Sequence, residues 1–222
     1  EELFYSCPLK KVYIGRDLKW ATETNPLTAN KPDEPFEDRN DITDVYFGPR
    51  VTRVGNYYDN DARYGYSYDL FNDCTGVKRV YLLGDEQSLE ENPVMFYSRD
   101  GLGRATDYYI NRNVGYTQYW VYSVSGASIL GCLDYCENVT FGPMVKFVTK
   151  NAFEGTEIFD NAENTYLKTV DFTNAYRLEE IQEYAFATCK EAKFTGLNGQ
   201  YPLKKIGKYA FSCCTALNSI DL

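Results

Sequence analysis

Residues 181–189 read IQEYAFATC and residues 206–214 read IGKYAFSCC. The Ile, the Tyr-Ala-Phe triplet and the final Cys of the two segments recur in register, 25 residues apart. Each segment also has a Leu three positions before its Ile, Leu178 in the first and Leu203 in the second. A fixed short period is typical of a solenoid, because one supersecondary unit cannot bury its own apolar face and must stack on the next. The doubled phrase therefore predicts a repeat fold.

A second element of the repeat lies between the Phe phrases and has the outline L-x-x-V-x-I. Apolar residues at its fourth and sixth places alternate with polar ones, and a period of two predicts a strand with one buried face. The copies are found at 9–14 (LKKVYI), 42–47 (ITDVYF), 77–82 (VKRVYL), 105–110 (ATDYYI), 136–141 (CENVTF), 167–172 (LKTVDF) and 217–222 (LNSIDL), with a weaker one at 192–197.

A longer echo extends the repeat towards the N-terminus. YIGRDLKW at 13–20 resembles YINRNVGY at 109–116, and FGPRVTRV at 47–54 matches FGPMVKFV at 141–148. The first pair is offset by 96 residues and the second by 94. The repeat therefore spans nearly the whole chain, with insertions between its units. The stretches 20–41 and 83–104 depart from the pattern and are expected to be loops.

These phrases resemble the BspA-type leucine-rich repeat, a family common in surface proteins of gut and oral Bacteroides-like bacteria. The resemblance implies a leucine-rich-repeat solenoid that is β-rich, with short helical or 3-10 turns and irregular insertions between repeats. We expect one domain over residues 1–222, with eroded repeats in 1–150 and clear repeats in 151–222. The resemblance also implies a secreted or cell-surface bacterial protein, used in adhesion, whose signal segment is absent from this chain.

Composition argues against several classes of partner. The formal net charge is −9 and the isoelectric point about 4.7, so long-range electrostatics do not attract a nucleic acid. No run reaches the ~18–20 apolar residues that a membrane span needs. Mean hydropathy is −0.47 although the chain contains 21 Tyr and 13 Phe. The core repeat accounts for part of the Phe but not for the Tyr, which are therefore candidates for function.

Catalytic chemistry is poorly represented in the sequence. The chain has no histidine, which removes the commonest general base and the commonest imidazole ligand for zinc. Asp and Glu number 32, yet no pair is marked by spacing, so we interpret them as surface charge. The sequence predicts a non-enzymatic protein without a metal or other cofactor. A hydrolase that uses two carboxylates in a cleft remains the enzymatic alternative.

The seven cysteines include three that share one repeat position. Cys74, Cys189 and Cys214 each lie three residues after a Phe, which predicts a ladder of buried free thiols that act as small apolar side chains. An odd number leaves at least one cysteine unpaired if the others form bridges. A disulfide such as Cys132 with Cys136, or a metal site, stays an alternative.

Tyrosines occupy the outward-facing place of the first four strand copies. The residues between the fourth and sixth places are Tyr13, Tyr46, Tyr81, Tyr109, Thr140, Asp171 and Asp221. We predict that the four tyrosines share one face and bind a ligand. The alternative is that cross-strand aromatic pairs only stabilise the sheet, by ~0.2–1 kcal/mol each.

Four basic residues lie beside this row of tyrosines, namely Lys10, Lys11, Lys78 and Arg79. They form a basic edge that favours an acidic partner surface, although surface lysines also serve solubility.

A second tyrosine cluster interrupts the repeat between Val54 and Phe71 with the sequence YYDNDARYGYSYD at 57–69. Insertions into repeats map to loops on one face and often carry function. The candidate residues are Tyr57, Tyr58, Tyr64, Tyr66 and Tyr68. These rings are suited to stacking on sugars, or they fold back over the edge of the repeat.

The sequence thus favours a surface or secreted protein that presents a leucine-rich-repeat face to a protein partner. The alternative is a carbohydrate-binding surface protein that uses the tyrosine-rich insertions. The repeat pattern breaks off at Leu222 without a polar capping unit. Since solenoid ends normally need one, we expect a truncated chain or an end covered by another chain.

Overall fold

The computed structural model describes most of the repeat units but not all of the chain. The described residues are 4, 6–17, 36, 38–54, 71, 74–89, 94–96, 102, 105–114, 135–154, 166–199 and 202–221. Within them the chain forms twelve short strands and one 3-10 helix, Gln87–Leu89. The strands are β1 Lys11–Arg16, β2 Asp44–Arg50, β3 Arg53–Val54, β4 Arg79–Leu82, β5 Met95–Phe96, β6 Asp107–Ile110, β7 Asn138–Phe141, β8 Phe147–Val148, β9 Thr169–Asp171, β10 Glu180–Ile181, β11 Lys193–Thr195 and β12 Lys205–Ile206.

The main sheet contains seven of these strands in the order β1-β2-β4-β6-β7-β9-β11. Every pair of neighbours is parallel, so each repeat adds one strand on the same side of the preceding one. Two smaller ladders, β12-β10-β8 and β3-β5, accompany it. Stacked parallel strands joined by irregular turns are the architecture of a leucine-rich-repeat solenoid, as the sequence predicts.

The core is a column of side chains that repeats with the strands. The fourth and sixth places of the strand copies from β1 to β9 in the main sheet point inward, as Val45 with Phe47 and Val80 with Leu82 illustrate. Turn phenylalanines from successive coils stack on one another. Phe36 lies between Phe4 and the next turn phenylalanine at ring-centroid distances of 5.3 and 5.1 Å. Each coil therefore buries its apolar residues against the coils on either side.

A tight turn surrounds these phenylalanines and keeps its backbone geometry while its residues change. In four of the described coils, the residue two positions after the Phe has a positive φ. In three described coils, the residue two positions before the Phe has a positive φ. The first set is Ser6, Asp38, Thr188 and Cys213, and the second is Asn151, Tyr184 and Tyr209, all with φ between 56° and 65°. The left-handed conformation is thus a property of the repeat, although these positions hold no glycine.

The predicted cysteine ladder is present and has a specific hydrogen-bond pattern. Each of its thiols is buried and donates to the carbonyl oxygen of the turn phenylalanine in the preceding coil. Cys189 contacts Phe153 at 3.1 Å, Cys214 contacts Phe186 at 3.0 Å, and Cys74 makes the same contact with Phe36. At Phe36 and Phe186 the thiol adds a second hydrogen bond to a carbonyl oxygen that also accepts from the backbone amide of Arg39 or Cys189.

The remaining described cysteines are also free thiols. Cys136 is buried, whereas Cys7 and Cys213 are exposed. Cys132, the other member of the alternative disulfide, lies outside the described residues. Arg39 occupies the ladder position after Phe36 and donates to the Phe4 carbonyl at 2.6 Å. In this coil an arginine guanidinium therefore makes the hydrogen bond that a cysteine thiol makes in the ladder.

Two strand copies at the C-terminal end differ from the prediction. In β11, Phe194 lies opposite Val170 and Thr195 opposite Asp171, so the copy predicted at 192–197 is wrong by one residue. The fully buried Ala192 lies two positions before Phe194, whereas Leu167 lies three positions before Val170. This copy is therefore one residue shorter than the one before it. Asp221 bridges to Asn198 and therefore does not continue the row through Thr195.

Candidate binding face of the main sheet

The register of the main sheet places the four predicted tyrosines in one row. Tyr13 lies opposite Tyr46, Tyr46 opposite Tyr81, and Tyr81 opposite Tyr109. Since their neighbours on each strand are buried, all four point to the outer face. The row continues through Thr140, Asp171 and Thr195, which carry no aromatic group. We call the row of Tyr13, Tyr46, Tyr81 and Tyr109 the tyrosine row.

Two members of the tyrosine row stack face to face. The rings of Tyr46 and Tyr81 are 4.3 Å apart and inclined by 4°. Tyr109 follows at 6.2 Å from Tyr81, with a tilt of 51°. Burial, with the neighbouring Tyr46 phenol next in importance, raises the pKa of Tyr81. The centre of the row is therefore a packed pair of rings that cover each other's facing sides.

Tyr13 packs differently, because glycine opens a space beside it. A β-carbon placed on Gly48 would lie 2.6 Å from the Tyr13 hydroxyl oxygen, and one on Gly15 would lie 3.3 Å from the ring. The ring therefore lies across the two glycines, and 61% of the residue is exposed. Tyr109 repeats the arrangement, with its hydroxyl oxygen 2.7 Å from the β-carbon position of Gly142.

This packing explains the long echo in the sequence. YIGR and YINR each supply a tyrosine, and the FGP segment of the following strand supplies Gly48 in the first case and Gly142 in the second. The strands concerned are direct neighbours, β1 with β2 and β6 with β7. The paired YI-x-R and FGP segments are therefore a sequence signal for a tyrosine ring that packs over a glycine of the neighbouring strand.

An ion pair between a buried carboxylate and a half-exposed arginine lies at the base of the tyrosine row. Asp44 and Arg79 are opposite each other on β2 and β4, and the guanidinium donates to both carboxylate oxygens at 2.5 and 2.8 Å. Thr43 donates a further hydrogen bond at 2.6 Å. The side chain of Asp44 is only 3% exposed. These hydrogen bonds, above all the one from Arg79, hold the pKa of Asp44 below its ordinary value.

This ion pair reduces the basic edge expected from the sequence. Arg79 is paired with Asp44, so its charge is largely cancelled. Lys10, Lys11 and Lys78 are exposed and remain on the surface beside the tyrosine row. Asp44 was not among the predicted site residues. Its sequence signal is an arginine at the same place of the next strand copy.

The C-terminal half of the same face is occupied by a chain of polar side chains. The Asn138 amide donates to Asp107 at 2.8 Å, and the Thr169 hydroxyl donates to Asn138 at 2.7 Å. Lys168 forms an ion pair with Glu137 at 2.7 Å. These groups bind each other across strands, so the tyrosine half of the face is the better candidate for ligand contacts.

The rim at the carboxyl ends of the strands is held by arginine–carboxylate pairs. Arg177 contacts both oxygens of Glu86 at 2.6 Å, although the two residues are 91 positions apart. Arg50 contacts Asp85 at 3.2 Å. The hydrogen bond from Arg177 lowers the pKa of Glu86, which favours the ionised carboxylate of a structural pair over a proton donor.

The described residues contain no arrangement that points to metal or membrane chemistry. Nowhere in this part of the chain do three or more Cys, Asp or Glu side chains converge as the ligands of a metal ion would. The described segments also contain no helix with the length and apolar composition of a membrane span. The predicted insertion residues Tyr57, Tyr58, Tyr64, Tyr66 and Tyr68 lie outside the described residues.

Comparison with known families agrees with this architecture. Residues 134–222 match the family model described as the BspA type leucine rich repeat region, in six copies. This part of the chain is a BspA-type leucine-rich-repeat region. The resemblance found in the doubled phrase is thereby confirmed. Searches of the curated proteins and of the solved structures gave no match.

The leucine-rich-repeat architecture extends beyond the matched residues. Strands β1, β2, β4 and β6 precede residue 134, yet they continue the same parallel sheet without a break in strand order. The tyrosine row therefore lies on strands of the main sheet that precede the matched residues. Leucine-rich-repeat families are generally non-enzymatic, and this one suggests a protein-interaction role at a surface.

Proposed function

We propose that this chain is a non-enzymatic, cell-surface or secreted adhesion protein that binds a protein partner through the tyrosine row. The observation that carries the proposal is the stacked pair of Tyr46 and Tyr81 on the outer face of the main sheet. Tyrosine supplies a large, rigid and amphipathic contact area, and it is enriched at the energetic centres of protein interfaces.

The orientation of the rings favours a protein over a sugar. An aromatic side chain that binds a sugar by stacking offers the open face of its ring. The facing sides of Tyr46 and Tyr81 cover each other, and the Tyr109 ring lies beside them. The centre of the row thus offers ring edges, which suit the polar and apolar groups of a polypeptide, whereas Tyr13 at its end is 61% exposed.

The backbone beneath the tyrosine row is held in place before any partner arrives. Parallel ladder hydrogen bonds connect β1, β2, β4 and β6, and Val45, Val80 and Tyr108 anchor the inner face. Stacking also limits the rotation of Tyr46 and Tyr81. A preorganised surface loses less conformational entropy on association, which favours specific binding by a modest area.

The proposal can be tested with single substitutions in the purified chain. Binding would be measured against a panel of purified extracellular-matrix and cell-surface proteins and, in parallel, against a glycan array. We expect saturable binding to a protein that weakens by about tenfold or more in Tyr81→Ala, since central aromatic residues carry much of an interface's free energy. Tyr209→Ala, at an exposed tyrosine outside the main sheet, is the matched control and should bind as the wild type does.

The carbohydrate alternative has a distinct outcome in the same assay. Saturable glycan binding that is lost in Tyr64→Ala and Tyr66→Ala, but kept in Tyr81→Ala, would replace the protein-partner proposal. Circular dichroism of each variant would establish that the sheet is intact. Protein binding that Tyr81→Ala leaves unchanged would also contradict the proposal.

A further inference from the structure

Charge is unevenly distributed along the outer face of the main sheet. The second to fifth places of the strand copies containing β1, β2 and β4 hold four cations and one carboxylate, a net charge of +3. The same places in the copies containing β6, β7, β9 and β11 hold two cations and three carboxylates, a net charge of −1. The first group is Lys10, Lys11, Asp44, Lys78 and Arg79, and the second is Asp107, Glu137, Lys168, Asp171 and Lys193. Three of the four tyrosines therefore lie in a cationic region of a chain whose net charge is −9.

Two described carboxylates near Lys10 and Lys11 are paired with other groups. Asp44 is buried and holds Arg79 and Thr43, as described above. Asp41, the other described carboxylate near Lys10, forms an ion pair with Arg39 at 2.9 Å. The ammonium groups of Lys10 and Lys11, in contrast, belong to exposed residues. Among the described residues, positive charge thus dominates the surface beside Tyr13 and Tyr46.

We propose that the tyrosine row binds an acidic segment of its protein partner. The exposed amino groups of Lys10, Lys11 and Lys78 attract Asp or Glu side chains, and the tyrosine hydroxyl groups donate hydrogen bonds to the same carboxylates. The apolar ring edges contact the residues between them. This inference rests on the proposed function and specifies the chemistry of the partner.

Electrostatics of this kind act mainly on the choice of partner. A single exposed ion pair contributes at most about 1 kcal/mol, so lysines alone do not create tight binding. A cluster of one sign accelerates the approach of an opposite charge and repels a like charge. Binding should therefore weaken with increasing salt, because the Debye length shrinks to about 3 Å at 1 M ionic strength.

A random peptide library provides the direct test. Peptides displayed on phage would be selected on the wild-type chain, and representative binders would be synthesised and titrated by fluorescence polarisation. We expect the selected peptides to be enriched in Asp and Glu. Their affinity should fall by about tenfold or more in Lys11→Glu with Lys78→Glu, since like charges then face each other across the interface. It should also fall as the NaCl concentration rises from about 50 mM to about 500 mM.

A matched control separates local charge from overall charge. The double variant Lys168→Glu with Lys193→Glu changes the net charge equally, on strand copies of the same sheet, but outside the cationic region. It should leave the affinity within about twofold of the wild type, because exposed charges more than a Debye length apart are largely screened. An equal loss of affinity in both double variants would overturn the inference.

The remaining outcomes distinguish this inference from the proposed function. Selection of neutral or basic peptides whose binding is lost in Tyr81→Ala would contradict the acidic partner segment. It would still support protein binding through the tyrosine row. Peptides whose binding is unaffected by Tyr81→Ala, or a selection without binders, would contradict both. Binding of polygalacturonate, an anionic polysaccharide, in the absence of peptide binding would identify a glycan as the ligand and also contradict both.

Discussion

The hydroxyl group of Tyr13 lies over Gly48 on the neighbouring strand, 2.6 Å from the position that a β-carbon at residue 48 would occupy. Tyr46 is the direct ladder partner of Tyr13, and Gly48 is two residues further along, on the same outer face. The glycine therefore determines where the tyrosine ring goes. Tyr109 and Gly142 form the same pair three strands later in the sheet.

Glycines that contact side chains should tolerate substitution better than glycines that contact backbone. A β-carbon on Gly76 would lie 2.0 Å from the carbonyl oxygen of Asn40, whereas one on Gly48 meets the mobile end of an exposed tyrosine. We expect Gly76→Ala to lower the free energy of unfolding by about 1–3 kcal/mol, as overpacking typically does. Gly48→Ala should cost less than about 1 kcal/mol. Urea unfolding of both variants would decide this, and equal costs would contradict it.

Burial should protect the cysteine ladder from modification. Desolvation raises the pKa of Cys189 and Cys136 strongly and raises that of Cys214 to about 11. Since the thiolate is the reactive form, iodoacetamide at a pH of about 8 should modify Cys7 and Cys213 in the folded protein and spare the buried thiols. Peptide mapping by mass spectrometry measures this. All described cysteines should react in urea, and rapid labelling of Cys189 without denaturant would contradict the prediction.

The ion pair of Asp44 with Arg79 should make stability depend on pH. The pKa of Asp44 is lowered in the folded state, so its stabilising contribution is present above the unfolded pKa, near 3.9, and is lost as the pH falls through the folded pKa. In Arg79→Met the carboxylate loses the largest cause of this lowering but keeps its desolvation, so we expect its pKa to rise above the unfolded value. The carboxylate of the variant should therefore destabilise the fold as the pH rises.

The measurement is the difference in unfolding free energy between wild type and Arg79→Met from a pH of about 3 to about 6. We expect the deficit of the variant to grow with pH over this range. Arg50→Met is the control, because the Arg50–Asp85 pair is exposed and the pKa of Asp85 is lowered first by hydrogen bonds from Ser88. A deficit for Arg79→Met that is independent of pH would count against the prediction.

Thr188 offers a stabilising substitution. Its φ is 65°, in the left-handed region that β-branched residues rarely adopt, whereas glycine adopts it without steric cost. We expect Thr188→Gly to raise the free energy of unfolding by about 1 kcal/mol. Thr188→Ala removes the same hydroxyl group but keeps the β-carbon, so it should bring no comparable gain. Thermal unfolding of the two variants provides the test, and a less stable glycine variant would refute the explanation.

Much of the fold could be read from local patterns. Alternation at the fourth and sixth places predicts the inward Val45 and Phe47 and the outward Tyr46, because side chains alternate across a strand. The three-residue spacing from Phe to Cys predicts the buried Cys189 and Cys214. Such features depend only on the geometry of one repeat, and every copy then reproduces them.

Contacts between neighbouring coils were harder to predict. Asp44 is buried because Arg79 lies opposite it in the next strand, a fact that depends on register rather than on either segment. The copy at 192–197 was placed one residue too far, because a fully buried Ala192 shortens the segment. A weak pattern does not determine its own register. The hydrogen bonds from the Lys193 amide to the Lys168 carbonyl and from the Phe172 amide to the Thr195 carbonyl do so.

The sequence by itself determined the repeat, the parallel strands and the identity of the outward tyrosines, since these follow from periodicity and from burial of one face. Only the tertiary structure decided that Tyr46 and Tyr81 stack while Tyr13 crosses to Gly48, and that Arg79 is paired while the lysines remain on the surface. The reason is physical: a side chain settles according to the volume and charge of its cross-strand neighbours, and those neighbours are about 30 residues away in the chain.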